Sequence, residues 1–183
     1  LQEVEMKINP EREIVESLAK EILVAARTAP KAKGIDDLVF GIITENEEKE
    51  KLAQEMEKVA EEKGQAFKFF KRDADNVRNS EAVILISVNF SKPLGLNCGA
   101  CGFSCDTILK QPKPNLDLDG PICAMKLLDM GIAIGSAVYK AKDLCIDNRV
   151  MYTIGVAAKR LNLLPGQVII GIPLSCLLYT SPS

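Results

Sequence analysis

The sequence predicts one α+β domain, with a central mixed or antiparallel sheet flanked by helices and interrupted by an irregular cysteine-rich loop. Three observations predict it. Residues 82–88 are nearly continuous in apolar residues, as a strand buried on both faces must be. Segments before and after that run repeat their apolar residues at helical spacing. Between Pro93 and Pro121 the composition turns to Gly, Pro, Asn and Cys, a length that compact domains seldom leave irregular without a use for it. At 183 residues one shared core is expected, here assigned to residues 1–174 with the loop segment at 93–124. Residues 175–183 read as a non-native tail resembling translated adaptor sequence, so Cys176 is left out of the functional reasoning.

The elements follow in order. Asn9, Pro10 and Glu11 form a helix-start signal, because Asn can cap free amides and Pro at the first position forfeits no hydrogen bond. The helix carries Ile14, Val15, Leu18, Ile22, Leu23 and Ala26 on one face and stops near Pro30. Leu38–Thr44 is a short β-rich run. Asn46 then opens a charged helix through Leu52, Met56 and Val59, ended by Gly64. Phe67–Phe70 reads as a short strand, and Ala82–Val88 as the central one. After the loop, a helix is expected from about Pro121 to Met130, and the small-residue segment Gly131–Val138 is also assigned to helix. Asp147 is expected to cap a last helix bearing Met151, Ile154, Ala158 and Leu161, and Gln167–Ile172 to form the final strand.

Composition excludes several chemistries. The chain holds no His, so by itself it cannot build a Ser-His-Asp triad, a Cys-His pair, a His-ligated zinc or a proximal-His haem. Its net charge of −2 offers no field for phosphate backbones, and nucleic acid is not an expected partner. No run approaches the length of a membrane helix, and the first residues lack both a secretory pattern and a starting Met, as a truncated reading frame would. A cytoplasmic, reducing location is expected.

Cysteine carries the chemistry. Cys98, Cys101, Cys105 and Cys123 give C-x2-C-x3-C-x17-C. Three close thiolates and one remote thiolate suit a four-iron four-sulfur cubane, the short loop wrapping one side while the fourth iron is tied to the next helix. Gly99 and Gly102 fit, since residues without a Cβ can take positive φ and turn amides toward cluster sulfurs. Zinc is the rival, although it most often takes its thiolates as two separated knuckles and the second knuckle is missing. A disulfide framework and plain buried thiols are the remaining readings. Cys145 lies outside the spacing and is expected to be a buried free thiol.

The run Asn97–Phe103 (Asn-Cys-Gly-Ala-Cys-Gly-Phe) with the later Gly120-Pro121-Ile122-Cys123 is similar to the four-iron four-sulfur domain of electron-transfer and corrinoid proteins, although that family's third spacing is often one residue longer. With Ala25–Gly34, Asp73–Arg78 and Asp147–Tyr152, the chain resembles, from about residue 10 to 174, the uncharacterised ferredoxin-domain family designated DUF2148. That resemblance implies Cys98, Cys101, Cys105 and Cys123 as ligands of a [4Fe-4S] cluster. A second resemblance concerns the fold. A first helix ending in an Ala-Pro turn, a central sheet, and a late helix followed by Gly171-Ile172-Pro173 look like the flavin-dependent nitroreductases, which are α+β homodimers with flavin at the subunit interface. No Arg-x-Ser-x-Arg segment precedes the first helix to hold an FMN phosphate. Arg27, Lys31 and Lys33 stand as replacements, or else merely offset the helix macrodipole, and Asn148 and Arg149 are candidates to touch a cofactor or a second subunit.

Other features have plain readings. No Gly-rich nucleotide loop is present, Gly131, Gly135 and Ser136 read as packing positions, and the Glu45–Lys51 charges as a solvated helix face. Asp73, Asp75, Asn76 and Arg78 read as a capped turn and surface pair, or as a site beside the central strand. The expected function is an iron–sulfur redox protein relaying single electrons to or from a bound flavin, a partner protein or a small-molecule acceptor. The alternatives are a non-catalytic zinc scaffold and an iron–sulfur sensor.

Overall fold

The computed structural model describes residues 6–178. A 3-10 turn at Pro10–Ile14 leads into helix α1 (Val15–Thr28), followed by strand β1 (Leu38–Ile43), helix α2 (Asn46–Lys63), helix α3 (Phe69–Asn79) and strand β2 (Ala82–Val88). Beyond the cysteine loop come helix α4 (Ala124–Asp143), the two-residue strand β3 (Asp147–Asn148), helix α5 (Tyr152–Arg160) and strand β4 (Val168–Ser175). The sheet order is β1-β2-β4-β3, and every neighbouring pair is antiparallel. The protein is therefore α+β, with helices on both faces of one antiparallel sheet.

Every residue of β2 is buried, and the strand's period of two splits them between two cores. Ala82, Ile84, Ile86 and Val88 join Val15, Ala19, Ile22 and Ala26 of α1 and Met130, Ala133, Ala137 and Ala141 of α4. Val83 and Leu85 face the other way, into Leu52, Met56 and Val59 of α2, Phe70 and Val77 of α3, and Ile154 and Ala157 of α5. Alanines dominate the buried stripe of α4, which lets α4 lie close to α1.

Helix ends follow from local chemistry. α1 stops because Ala29 precedes Pro30 and is held extended at φ −54°, ψ 138°. Gly64 ends α2 at φ 84°, its N–H donating to the Ala60 carbonyl. On the far side, α5 lies directly on β4. An added Cβ at Gly155 would stand 1.7 Å from the Ile169 carbonyl oxygen, and one at Gly171 would stand 2.0 Å from the Ile154 side chain.

Several expectations need correction. Phe67–Phe70 is not a strand: a 3-10 turn and α3 occupy it, because Phe70, Ala74 and Val77 recur at helical spacing on one buried face. Asp147 does not cap a helix. It pairs with Ser175 in β3, Met151 bridges to Gly171, and the chain stays extended until α5 begins at Tyr152. Asn9 sits in the left-handed region at φ 52° with no side-chain cap, and Ile14 is exposed. The helix expected from Pro121 begins only at Ala124, and it continues without a break through Gly131–Val138, helical as expected, as the single 20-residue helix α4. Cys145 is exposed, at φ 58°, where it terminates α4 while the Ile146 N–H closes back on the Ala141 carbonyl. Of the segment read as a tail, Ser175 closes β4, and the N–H of buried Leu178 donates to Asp147 at 2.9 Å. The readings at residues 1–5 and 179–183 lie outside the described residues.

The Gly155 contact gives a direct test. Gly155→Ala drives a methyl group into backbone that cannot rotate away, and should destabilise the protein by about 3 kcal/mol or more. Urea denaturation should show the loss, whereas Gly131→Ala, with open space around it, should be tolerated.

Candidate metal centre

The loop after β2 is held at both ends by one residue. The Gln167 side chain accepts from the Phe90 N–H at 2.8 Å and donates to the Phe90 carbonyl at 3.0 Å. Its own carbonyl accepts from the Asp119 N–H at 3.1 Å, and its N–H donates to Val88 at 3.0 Å. At the loop's start, the Asn89 N–H donates to the Asp37 carbonyl at 2.7 Å and Lys33 Nζ to the Leu94 carbonyl at 3.0 Å. Near its close, Lys159 reaches Asp119 at 2.9 Å, and Lys63 reaches Asp117 at 2.7 Å. Tyr152 donates its hydroxyl to the same Asp117 carboxylate.

Within these anchors the thiols run from wet to dry. Cys98 is exposed, Cys101 and Cys105 are half-buried, and Cys123 is buried. Asn97 and Cys105 exchange two hydrogen bonds: the Asn97 N–H donates to Cys105 Sγ at 3.2 Å, and the Cys105 N–H donates to Asn97 Oδ1 at 3.1 Å. Gly99 and Gly102 take positive φ, 71° and 83°, and a 2.8 Å bond from the Gly102 N–H to the Gly99 carbonyl closes the turn between them. Ile108 is buried, and Cys101 and Phe103 pack beside it on the α1/α4 core.

Among the described residues, no three His, Cys, Asp or Glu side chains converge as a ligand set for one metal ion. A cubane asks something different, since each thiolate binds its own iron across the cluster. The donor set fits that group chemically. Four thiols lie on one tethered loop and the helix it feeds, an amide already donates to a thiol sulfur, and open space surrounds both positive-φ glycines.

Cys123 stands at the N-cap of α4, where unpaired amides and the helix dipole favour negative charge. One turn further, two ionic side chains are buried that sequence reasoning did not single out. Lys126 pairs with Asp37 at 2.7 Å and donates to the Ile35 carbonyl at 3.1 Å. Asp129 accepts from the Ala32 N–H at 3.0 Å, and its second oxygen is buried without a partner. These residues dock segment 32–37 onto α4 beside Cys123. Their signal in the sequence was a Lys and an Asp three residues apart inside the otherwise apolar run 122–135.

The basic candidates are engaged within the fold. Arg27 binds Asp36 at 2.5 Å and the Leu38 carbonyl at 3.0 Å, with its guanidinium 4.2 Å over the Phe40 ring. Lys31 caps the end of α1 by donating to the carbonyls of Arg27 at 2.7 Å and Ala29 at 2.8 Å, which is the macrodipole role. Lys33 holds the loop through Leu94. Asn148 Nδ2 donates to the Ile146 carbonyl, and Arg149 is exposed. The two groups do not meet in one chain. Arg27 is tied to β1 at the level of Val88 and Val168, whereas Asn148 pairs with Leu174 on the opposite edge of the sheet. Six residues along β4 and three strand spacings separate the two levels by more than about 20 Å.

The Asp73–Arg78 candidates are structural. Asp73 accepts from Thr153 at 2.8 Å and from Arg72, while Arg78 binds Glu50, Glu57 and Asp75, and its bonds to Glu57 and Glu50 hold its pKa above the ordinary guanidinium value. Around Asp117 the electrostatics are sharper. Burial pushes its carboxyl up, but bonds from Lys63 and Tyr152 outweigh that and hold it below its usual range. Burial, followed by the Asp117 contact, pushes the Tyr152 hydroxyl up to about 12.

Comparison with known proteins adds two findings. A family model described as "Uncharacterized protein containing a ferredoxin domain (DUF2148)" matches residues 119–178, which include Cys123. An uncharacterized protein of Archaeoglobus fulgidus is 45% identical over 154 residues, covering 84% of this chain and 82% of the relative. Among solved structures, a BluB-like flavoprotein from Clostridium difficile 630 aligns with a TM-score of 0.60 at 15% identity, over 98% of this chain and 87% of that one. NADPH:FMN oxidoreductase from Vibrio harveyi complexed with NAD+ aligns at 0.56 and 12% identity, over 100% and 67%. NfrA1 of B. megaterium aligns at 0.57 and 14% identity, over 92% of this chain, which spans 60% of NfrA1. At these identities the likeness is one of fold, and the fold is nitroreductase-like.

Two substitutions test the anchors. Gln167→Ala removes both side-chain bonds to Phe90, and should speed hydrogen exchange across 90–119 while leaving the centre of β2 protected. Asp117→Asn should cost about 1–2 kcal/mol at neutral pH. Because the folded carboxyl titrates below its unfolded value, that deficit should shrink as pH falls through the folded pKa, as acid unfolding curves of both proteins can show.

Proposed function

The chain belongs to the DUF2148 family of proteins containing a ferredoxin domain, and from that premise we propose that it is an iron–sulfur redox protein in which Cys98, Cys101, Cys105 and Cys123 hold one [4Fe-4S] cluster. The observation that carries this reading is the thiol loop itself. The Asn97 N–H donates to Cys105 Sγ, the Cys105 N–H ties the loop back to Asn97 Oδ1, and Gly99 and Gly102 take positive φ between the first three cysteines. Such bonds stabilise the negative charge added on reduction. When bound, the cluster supplies a reversible one-electron step without transfer of a proton or a group.

The chain's own residues set the conditions for that step. Cys123 presents its thiol at the positive end of α4, and the bond from buried Lys126 to half-buried Asp37 fixes the segment beside it. Gln167, just before β4, ties both ends of the loop, and Cys101 packs against the α1/α4 core. The thiols remain available in a reducing compartment, for which the cytoplasm is the proposed location. Among the described residues, no helix is long and apolar enough to cross a membrane.

The electron passes to FMN, a redox partner protein or a small-molecule acceptor. FMN is supported by the nitroreductase-like fold and by neighbours named as a flavoprotein and an FMN oxidoreductase. With Arg27, Lys31 and Lys33 on one side of the sheet and Asn148 and Arg149 at its far edge, the proposed FMN site lies between two copies, each contributing one group. A homodimer is also supported by the outer face of α4, where Leu128 and Tyr139 are 57% and 75% exposed, beside Val24 of α1.

Anaerobic purification with iron, acid-labile sulfide, zinc and flavin analysis tests the reading. About four irons and four sulfides per chain are expected. Cys101→Ala should lose most of both while keeping its far-ultraviolet spectrum, and zinc without sulfide would overturn the proposal.

A further inference from the structure

We propose that residues 91–113 form a docking surface for a small acidic electron-carrier protein, with the exposed Cys98 side of the thiol loop as the point where the electron crosses. This inference rests on the cluster reading above and adds where the partner binds and what its chemistry is.

Burial gives the direction. Of the four proposed ligands, Cys98 is exposed and Cys123 is buried in the α1/α4 core, so a cluster held among them has one side toward water and the other toward the protein. A protein donor can approach only the Cys98 side. The same loop also carries apolar surface that no described residue covers. Leu96 and Leu109 are 51% and 54% exposed, although the Asn97–Cys105 bonds and the buried Ile108 hold their backbone in place. Leucines held out to water on a tethered loop are the kind of central contact that binding interfaces use.

Charge selects the occupant. Residues 91–113 contain Lys92, Lys110 and Lys113 against the single acid Asp106, in a chain whose total is −2. All three lysines are exposed, and among the described residues neither Lys92 nor Lys110 forms an ion pair. Lys113 lies 3.9 Å from Asp119, which Lys159 already holds at 2.9 Å. An acidic partner is drawn to this loop and repelled by the more negative remainder, which both steers and orients its approach. The reaction balances as one electron lost by the reduced carrier and one gained by the cluster, with no proton or group moved.

Binding is the test, because it requires no turnover. The full chain, loaded anaerobically, is titrated with an oxidised acidic two-cluster bacterial ferredoxin at ~0.02 M and ~0.3 M salt, between which the Debye length falls from about 20 Å to about 6 Å. Affinity should drop with salt. The triple variant Lys92→Glu, Lys110→Glu, Lys113→Glu should weaken binding at least about tenfold at low salt and abolish most of the salt dependence. Leu96→Ser should weaken binding at both salt concentrations. Iron, sulfide and reduction by dithionite should be unchanged in both variants. Undiminished binding by the triple variant would overturn the proposal, as would tighter binding of a basic cytochrome c. So would a variant that lost only self-association or adhesion to anionic phosphatidylserine vesicles. Wild-type protein lacking iron and sulfide sinks the cluster reading, whereas loaded protein that ignores the acidic carrier sinks the docking surface alone.

Discussion

Strand β2 has no face toward water, and most of the architecture answers to that. A strand buried on both sides needs a neighbour at each edge for its backbone and helices over each face for its side chains. β1 and β4 supply the edges. α1 and α4 cover one face, and α2, α3 and α5 cover the other. The cysteine loop begins where this strand ends, so its first residues emerge from the most protected part of the molecule. That is why Gln167, the residue just before β4, can serve as a fixed post for it.

The loop itself has little regular structure and a modest share of the core. Its order comes from point contacts made by side chains that belong to other elements: Gln167 at both ends, Lys33 at Leu94, Lys63 and Tyr152 at Asp117, and Lys159 at Asp119. Such a frame positions a segment through its ends. The pair between buried Lys126 and half-buried Asp37 and the Asp129–Ala32 bond do the same for the turn after α1, so two irregular segments meet at the beginning of α4. Burying the Lys126 ammonium is a costly way to gain stability, but its partners fix its position.

Legibility differed by the kind of signal. The four cysteines, the two glycines and the central strand declared themselves through spacing and composition, because those patterns need no knowledge of the partner surface. α1 and α2 were legible from their 3.6-residue period, and the union of Pro121–Met130 with Gly131–Val138 was half legible, since the small residues of α4 suit both helix and strand. Phe67–Phe70 misled because three phenylalanines in four residues raise β-propensity, while the deciding fact was that Phe70, Ala74 and Val77 face a common core. Asp147 misled in the same way: its position suits a cap, yet the free edge of β4 claims it first. Arg27, Lys31 and Lys33 looked like one basic cluster, and in the fold each is bound to a different group.

By itself, the sequence determined the class of fold, the absence of histidine chemistry, and the set of thiols on which any metal or redox role must rest. Each follows from residue identity and short-range spacing. Only the tertiary structure decided that β1 and β2 run antiparallel with two helices between them, that Gln167 closes the loop, and that Lys126 and Asp129 are buried behind Cys123. It also decided that Cys98 faces water while Cys123 does not. Those outcomes depend on contacts between residues up to 97 positions apart, as in the Ala32–Asp129 bond. A local pattern records which faces are apolar, but not which surface will cover them.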